Sequence, residues 1–367
     1  MIRVLVVDDS PVVRELLAHV LGTDPEISVI ETVSDGEEAL RAAESRRPDV
    51  ITMDLHMPGM DGLEATRRIM ETHPAPILIV TGSSSALEVE MAFLALEAGA
   101  LTVVQKPAGP GHPDHAATSA GLVQTVKLMA EVKVVKRWPR ARKKEAASAS
   151  IAPPPLGWTL PRGGIEVVAM GASTGGPLVL QTILSRLPKD LPVPVLVVQH
   201  MAPGFIQGFA EWMAETCDLP VQVAAQAERA LPGHVYVAPD GFQMKVEAGA
   251  TIGLTRDAAE NGLRPSVSYL FRSVAEVYGP RAAGVLLTGM GKDGARELKR
   301  MKDSGAVTLV QDKQSSVVPG MPGEAIDLGA ATYVLTPDQI AAALSSLVSN
   351  HAGPGRASPG GGKGRES

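Results

Sequence analysis

Apolar runs recur along the chain, each closed by polar or glycine residues and followed by a stretch with helical spacing. Residues 2–7, 27–33, 50–53, 76–80 and 101–104 form a first set, and 165–170, 193–198, 282–288 and 305–310 form a second. Runs that are apolar at nearly every position fit strands buried on both faces. Their alternation with amphipathic stretches predicts parallel sheets covered by helices. Helices are predicted after Pro11, over the segment carrying Ala39, Leu40 and Ala43, and over 206–216, 267–278, 295–303 and 337–348. Shorter strands are predicted at 221–224 and 234–239, with a hairpin of 243–246 and 251–254 around Gly249. The expected class is α/β: a five-stranded parallel sheet, then a doubly wound domain with an antiparallel excursion in its middle.

The pattern breaks twice. Leu122, Val126, Met129 and Val132 keep helical spacing, and a basic run of Lys133, Lys136, Arg137, Arg140, Arg142, Lys143 and Lys144 follows. Ala-Ser repeats and Pro153-Pro154-Pro155 come next, the composition of a flexible and then stiffened connector. Trp138 and Trp158 are expected to pin it to a domain surface. From His351 onward the chain is Gly, Ser and charge, and is expected to be disordered. These breaks divide the chain into a domain at 1–125, a linker at 126–160, a domain at 161–350 and a tail at 351–367.

A length of 367 residues suits two domains. A net charge of −6 and an aromatic content of 3% argue against a nucleic-acid binder. The single cysteine, Cys217, excludes an internal disulfide and is expected to be a packed small residue. No apolar run reaches membrane-spanning length, so the expectation is a cytoplasmic protein with no membrane insertion.

Chemistry gathers at strand ends. Asp8, Asp9, Asp54, Thr81 and Lys106 each follow an apolar run of the first domain. In an open α/β sheet that edge is the ligand-binding edge. Three carboxylates there repel unless a hard divalent cation such as Mg²⁺ sits among them, and a lysine and a hydroxyl at the same rim can hold a phosphoryl group. With Asp54-Leu55-x-Met57-Pro58-x-Met60-Asp61-Gly62 and Lys106-Pro107, the segment resembles the receiver domain of two-component response regulators, which is flavodoxin-like. That resemblance implies phosphorylation of Asp54 by a histidine kinase and Mg²⁺ held by Asp8, Asp9 and Asp54. It also implies phosphoryl contacts from Thr81 and Lys106, and a cis Lys106–Pro107 bond. The position three before the lysine, often aromatic in such domains, is Val103 here.

The second domain opens on a sharper feature. The run 165–170 ends in Gly171-Ala172-Ser173-Thr174-Gly175-Gly176, and Pro177 opens a helix. Gly171, Ser173 and Gly175 fit a nucleophile elbow, a tight strand-to-helix turn that lifts a serine hydroxyl beside free backbone N–H groups. A dinucleotide-binding turn fits poorly, because Ser173 replaces the middle glycine and the next strand ends in Gln199-His200 instead of an acidic residue. His200 and Asp293 also follow long apolar runs. Singly, His200 reads as a packed histidine and Asp293 as the N-cap of the helix after it. On one rim, Ser173, His200 and Asp293 would supply nucleophile, base and orienting acid. Their chain order differs from that of α/β-hydrolases.

The segments 171–176, Gln199-His200-Met201, Gly289-Met290-Gly291-x-Asp293-Gly294 and Gly320-Met321-Pro322-Gly323-Glu324-Ala325 resemble the chemotaxis protein-glutamate methylesterase family (CheB). The resemblance implies phosphorylation-activated hydrolysis of glutamyl methyl esters, and deamidation of glutamines, on the cytoplasmic helices of methyl-accepting chemoreceptors. It assigns catalysis to Ser173, His200 and Asp293, oxyanion binding to the backbone N–H groups of Met290 and Thr174, and needs no cofactor for the ester chemistry. It also implies a chemotaxis histidine kinase as phosphodonor and inhibition by a receiver that covers the catalytic face.

Overall fold

The computed structural model describes residues 1–82, 85–132, 134 and 164–349. The basic run, the proline segment, Trp138, Trp158 and the tail from His351 lie outside the described residues, except that Val132 and Val134 flank the start of that run.

The first domain alternates strand and helix: β1 (Ile2–Val7), α1 (Pro11–Gly22), β2 (Ile27–Val33), α2 (Gly36–Arg46), β3 (Val50–Met53), α3 (Gly62–Thr72), β4 (Ile77–Thr81), α4 (Ala86–Ala98), β5 (Thr102–Gln105) and α5 (His115–Ala130). Its five strands are parallel in the order β2-β1-β3-β4-β5. β3 and β4 are buried along their whole length, as uninterrupted apolar runs between two helical layers must be. Loop polar groups serve as helix caps: Ser10, Asp35, Asp61 and Ser85 each accept a backbone N–H of the helix they precede.

The second domain contains β6 (Val167–Ala172), α6 (Gly176–Leu184), β7 (Val195–Gln199), α7 (Ile206–Thr216), β8 (Val221–Val223), β9 (Val235–Val237), β10 (Gln243–Glu247), β11 (Thr251–Thr255) and α8 (Val267–Tyr278). It continues with β12 (Ala282–Leu286), α9 (Ala295–Asp303), β13 (Val307–Gln311), α10 (Gly320–Asp327), β14 (Tyr333–Leu335) and α11 (Pro337–Ser349). Seven strands form one parallel sheet in the order β14-β13-β12-β6-β7-β9-β8. The expected antiparallel excursion is confined to the β10–β11 hairpin. The short strands β8 and β9 extend the parallel sheet at its edge. The segment from Gly320, which carries Gly and Pro and offers little helical signal, forms α10.

The domains share one apolar cluster. Phe93 of α4 stacks on Trp212 of α7 with ring centroids 5.0 Å apart and touches Phe209 at 5.9 Å. A Cβ on Gly208 would stand 2.2 Å from Val89, so a side chain there would force α4 away. Glu97 Oε1 accepts Trp212 Nε1 at 3.1 Å and Gln181 Nε2 at 3.4 Å, and Gln105 Nε2 donates to the Pro203 carbonyl at 3.1 Å. Val317 and Val318 pack with Leu122, Val126 and Met129 of α5. No helix among the described residues is long and apolar enough to cross a membrane.

Candidate active site and phosphoacceptor site

The elbow follows from the sheet register. Ala172 pairs with Gln199 across β6 and β7, so Ser173 and His200 leave the sheet side by side. The His200 N–H still reaches the Ala172 carbonyl at 2.9 Å, and the Ser173 N–H reaches the Thr288 carbonyl, just past β12, at 3.0 Å. Gly175, at φ 76°, makes the turn into α6. A Cβ on Gly289 would stand 2.6 Å from the Ser173 Cβ, which brings the loop after β12 against the serine. The Ser173 hydroxyl makes no hydrogen bond among the described residues, and the backbone N–H groups of Thr174 and Met290 likewise donate none there.

His200 Nε2 stands 3.0 Å from Asp293 Oδ2, within ion-pair distance although off the line that a hydrogen bond prefers. Asp293 is 3% exposed. Its carboxylate accepts the Ser266 hydroxyl at 2.9 Å, the Val267 N–H at 2.7 Å and the Ser268 N–H at 3.1 Å. Those N–H groups open α8. Asp293 therefore caps α8, which packs against α9, and not the helix α9 that follows it, whose N-cap is Gly294. Burial pushes its carboxyl upward, but His200, then Ser268 and Val267, outweigh burial and hold it at about 2. The acid is fixed as an anion, which is the state that orients an imidazole.

A cleft of about 830 Å³ lies over these groups, lined by Ser173, Thr174, His200, Met290, Asp293 and Arg296 among others. A second groove of about 520 Å³ continues past His200 along Pro203, Asp240 and Leu263. Between the domains, a small cavity of about 30 Å³ touches Ser173, Pro177 and His200 on one wall and Phe93, Leu101 and Val103 on the other. The first domain thus seats its α4–β5 face beside the serine.

The first domain's own rim is equally ordered. Asp8 and Asp54 are buried and Asp9 is exposed. One oxygen from each of these three carboxylates lies within 4.8 Å of the others. Lys106 Nζ stands 2.8 Å from Asp8 Oδ2 and 3.1 Å from Asp54 Oδ2. Burial raises the Asp54 carboxyl above its ordinary value, Lys106 pulls it back and Asp8 adds to the rise. Burial lowers the Lys106 ammonium, but Asp8 and Asp54 hold it above its ordinary value.

One site residue has an unforeseen partner, and one expectation needs correction. The Thr81 hydroxyl donates to the buried Glu88 carboxylate in the first turn of α4, a partner that an isolated Glu in a helical stretch does not advertise. Lys106–Pro107 is not cis; among the described residues the cis bond is Arg264–Pro265. Lys106 reaches both carboxylates without it. Cys217 is buried as expected, and burial pushes its thiol up to about 11. The partners that the sequence did not expose are Glu88, seven residues beyond Thr81, and Ser266 and Ser268, more than twenty residues before Asp293.

Comparison with known proteins identifies both domains. The response regulator receiver domain profile matches residues 4–116, and the CheB methylesterase profile matches residues 168–344. The chain is 58% identical to a protein-glutamate methylesterase/protein-glutamine glutaminase of Nitrosospira multiformis, over 95% of this chain and 97% of that one. It is 57% identical to a protein of the same description from Geobacter metallireducens, over 95% of this chain and 99% of that one. Among solved structures, the Thermotoga maritima CheB methylesterase catalytic domain is 39% identical and covers 50% of this chain and 99% of its own, with a TM-score of 0.49. A receiver domain followed by a methylesterase domain, at such identity over nearly the full length, places the chain in the chemotaxis protein-glutamate methylesterase/protein-glutamine glutaminase (CheB) family.

Proposed function

We propose that Ser173, His200 and Asp293 form the catalytic triad that hydrolyses glutamyl methyl esters, and deamidates glutamines, on the cytoplasmic helices of methyl-accepting chemoreceptors. The observation that carries the reading is the adjacency of β12, β6 and β7, whose parallel ends bring these three residues to one cleft. Ser173 Oγ attacks the ester carbonyl while His200 takes its proton. The resulting oxyanion meets the unpaired N–H groups of Thr174 and Met290; a donor of this kind is worth ~3–4 kcal/mol in the transition state. His200 returns the proton to the departing methoxide, releasing methanol and leaving a glutamyl ester on Ser173. Water, deprotonated by His200, then attacks the acyl carbon; glutamate leaves and Ser173 regains its proton. With glutamine the first leaving group is ammonia. Asp293, held ionised, steadies the imidazolium in both steps.

Asp54 is the proposed phosphoacceptor, phosphorylated by a chemotaxis histidine kinase. The residues beside it fit Mg²⁺: the donors are all oxygen and their ligand atoms lie within 4.8 Å of one another. Asp8, Asp9 and Asp54 would hold the ion, which when bound supplies charge neutralisation for an incoming phosphoryl group. Lys106 neutralises the same carboxylates from the protein side. Thr81 contacts the phosphoryl oxygens on this reading, which requires its hydroxyl to leave Glu88. The stacked α4–α7 contact and the cavity between Val103 and Ser173 support inhibition by coverage, relieved when phosphorylation shifts that face.

Methanol release from methylated receptor membranes tests both parts. Release should rise with a small phosphodonor and Mg²⁺, vanish in Ser173→Ala, and lose its phosphodonor dependence in Asp54→Asn. Release that survives in Ser173→Ala would overturn the triad. A full phosphodonor response in Asp54→Asn would overturn the switch.

A further inference from the structure

Beneath nucleophile and base lies a side chain that the scheme above leaves unused. Gln199 closes β7 and is 2% exposed. Its Nε2 donates to the Ser173 carbonyl at 2.9 Å and to the His200 carbonyl at 2.7 Å. We propose that Gln199 is a positioning residue for ester cleavage: its one NH₂ group ties the backbone of the nucleophile to that of the base and fixes their separation. The inference rests on Ser173 and His200 having the roles proposed above.

Chemistry dictates which way the amide faces. Turned over, its oxygen would confront two carbonyl oxygens, acceptor against acceptor. The place matters too. Ala172 and Gln199 are the last paired residues of β6 and β7, and one further bond, from the His200 N–H to the Ala172 carbonyl, follows. The strands part where the reacting groups must be held together. Gln199 bridges the two chains at that point and, among the described residues, is the partner of the His200 carbonyl.

Two details show that the space is built around this amide. A Cβ on Gly176 would stand 2.2 Å from Gln199 Oε1, so the first residue of α6 is one that lets the amide lie against the elbow. Gln199 Oε1 itself is buried with no hydrogen-bond partner. An unpaired buried acceptor weakens a fold. Filling the volume would be done as well by an apolar side chain of this shape; what such a side chain lacks is the NH₂ group and its two carbonyls.

The test uses the full-length protein with methylated receptor membranes, Mg²⁺ and a small phosphodonor, beside inactivation by phenylmethanesulfonyl fluoride, which needs the nucleophile and base but no receptor docking. Gln199→Met keeps the shape and removes the donors. It should lower kcat ~100-fold, the scale of a small misplacement of reacting groups, leave KM within twofold, and slow sulfonylation in parallel. Gln199→Asn, polar but too short to span both carbonyls, should lie between Gln199→Met and the unsubstituted protein, and it serves as the readout if the methionine variant does not fold. Thr308→Val is the control for a lost buried hydrogen bond: Thr308 is buried, donates to the Ala330 carbonyl at 2.6 Å and is remote from the cleft, so it should lower Tm without changing either rate. Near-normal kcat and sulfonylation in Gln199→Met with Ser173→Ala silent would overturn this inference alone. A loss confined to KM would also overturn it. Activity in Ser173→Ala would overturn the triad instead.

Discussion

Two buried aspartates, each at the carboxyl rim of a parallel sheet, have opposite acidities. Asp54 is raised above an ordinary carboxyl, whereas Asp293 is held at about 2. Both suffer burial. The difference lies in what answers it. Asp54 has the Asp8 carboxylate beside it, one backbone N–H from Leu55, and a lysine that it shares. Asp293 has a histidine to itself and the opening N–H groups of a helix, whose positive end favours an anion. An under-compensated carboxylate suits the phosphoacceptor role proposed for Asp54. A saturated one suits a group whose charge must not change through a catalytic cycle.

Breaking the comparison at its stronger end should have the largest effect. Asp293→Asn keeps the shape and removes the charge, so kcat for methanol release should fall by ~10⁴-fold with the protein still folded by circular dichroism. Next, Lys106→Met removes the ammonium that Asp8 and Asp54 share. The Asp54 carboxyl should rise further, and the phosphodonor-dependent part of methanol release should disappear.

The smallest effect is on stability in acid. The folded Asp293 carboxyl, at about 2, lies below the unfolded value of about 3.9. Its contribution is therefore fully present above the unfolded value and is lost as pH falls through about 2, to the extent of ~2–3 kcal/mol. Asp54, raised in the fold, contributes in the opposite sense: ionising it at higher pH costs stability. Denaturant titrations of Asp293→Asn and Asp54→Asn between pH 2 and pH 7 should separate the two, with the acid-dependent loss diminished only in Asp293→Asn.

Much of this was legible in the chain. Uninterrupted apolar runs marked the strands of both sheets, and the residues just beyond them supplied Asp8, Asp9, Asp54, Lys106, Ser173 and His200 at one rim or the other. A run of apolar residues does not announce its neighbours, however, so β8 and β9 were not assigned to the parallel sheet. Asp293 shows the same limit. Its position before a helix suggested a local cap, while its real partners, Ser266 to Ser268, are more than twenty residues earlier and meet it only because α8 packs beside the sheet. Glu88 carries no motif, and Gln199 stood out in the sequence only as the neighbour of His200. Their roles arise from what burial places against them.

The covered serine is covered on one side only. Val103 and Phe93 close the small cavity behind Ser173, while the cleft of about 830 Å³ stays open in front of it. An α-helix with side chains is ~10–12 Å across, and a receptor helix, the substrate proposed above, would at that width lie along the rim that the first domain shares. A short ester need not. On that proposal the interface is a gauge of width as much as an on-off control. Under the proposed switch, a screen using small chromogenic esters should report similar turnover with and without a phosphodonor, whereas a helical substrate should register the signal.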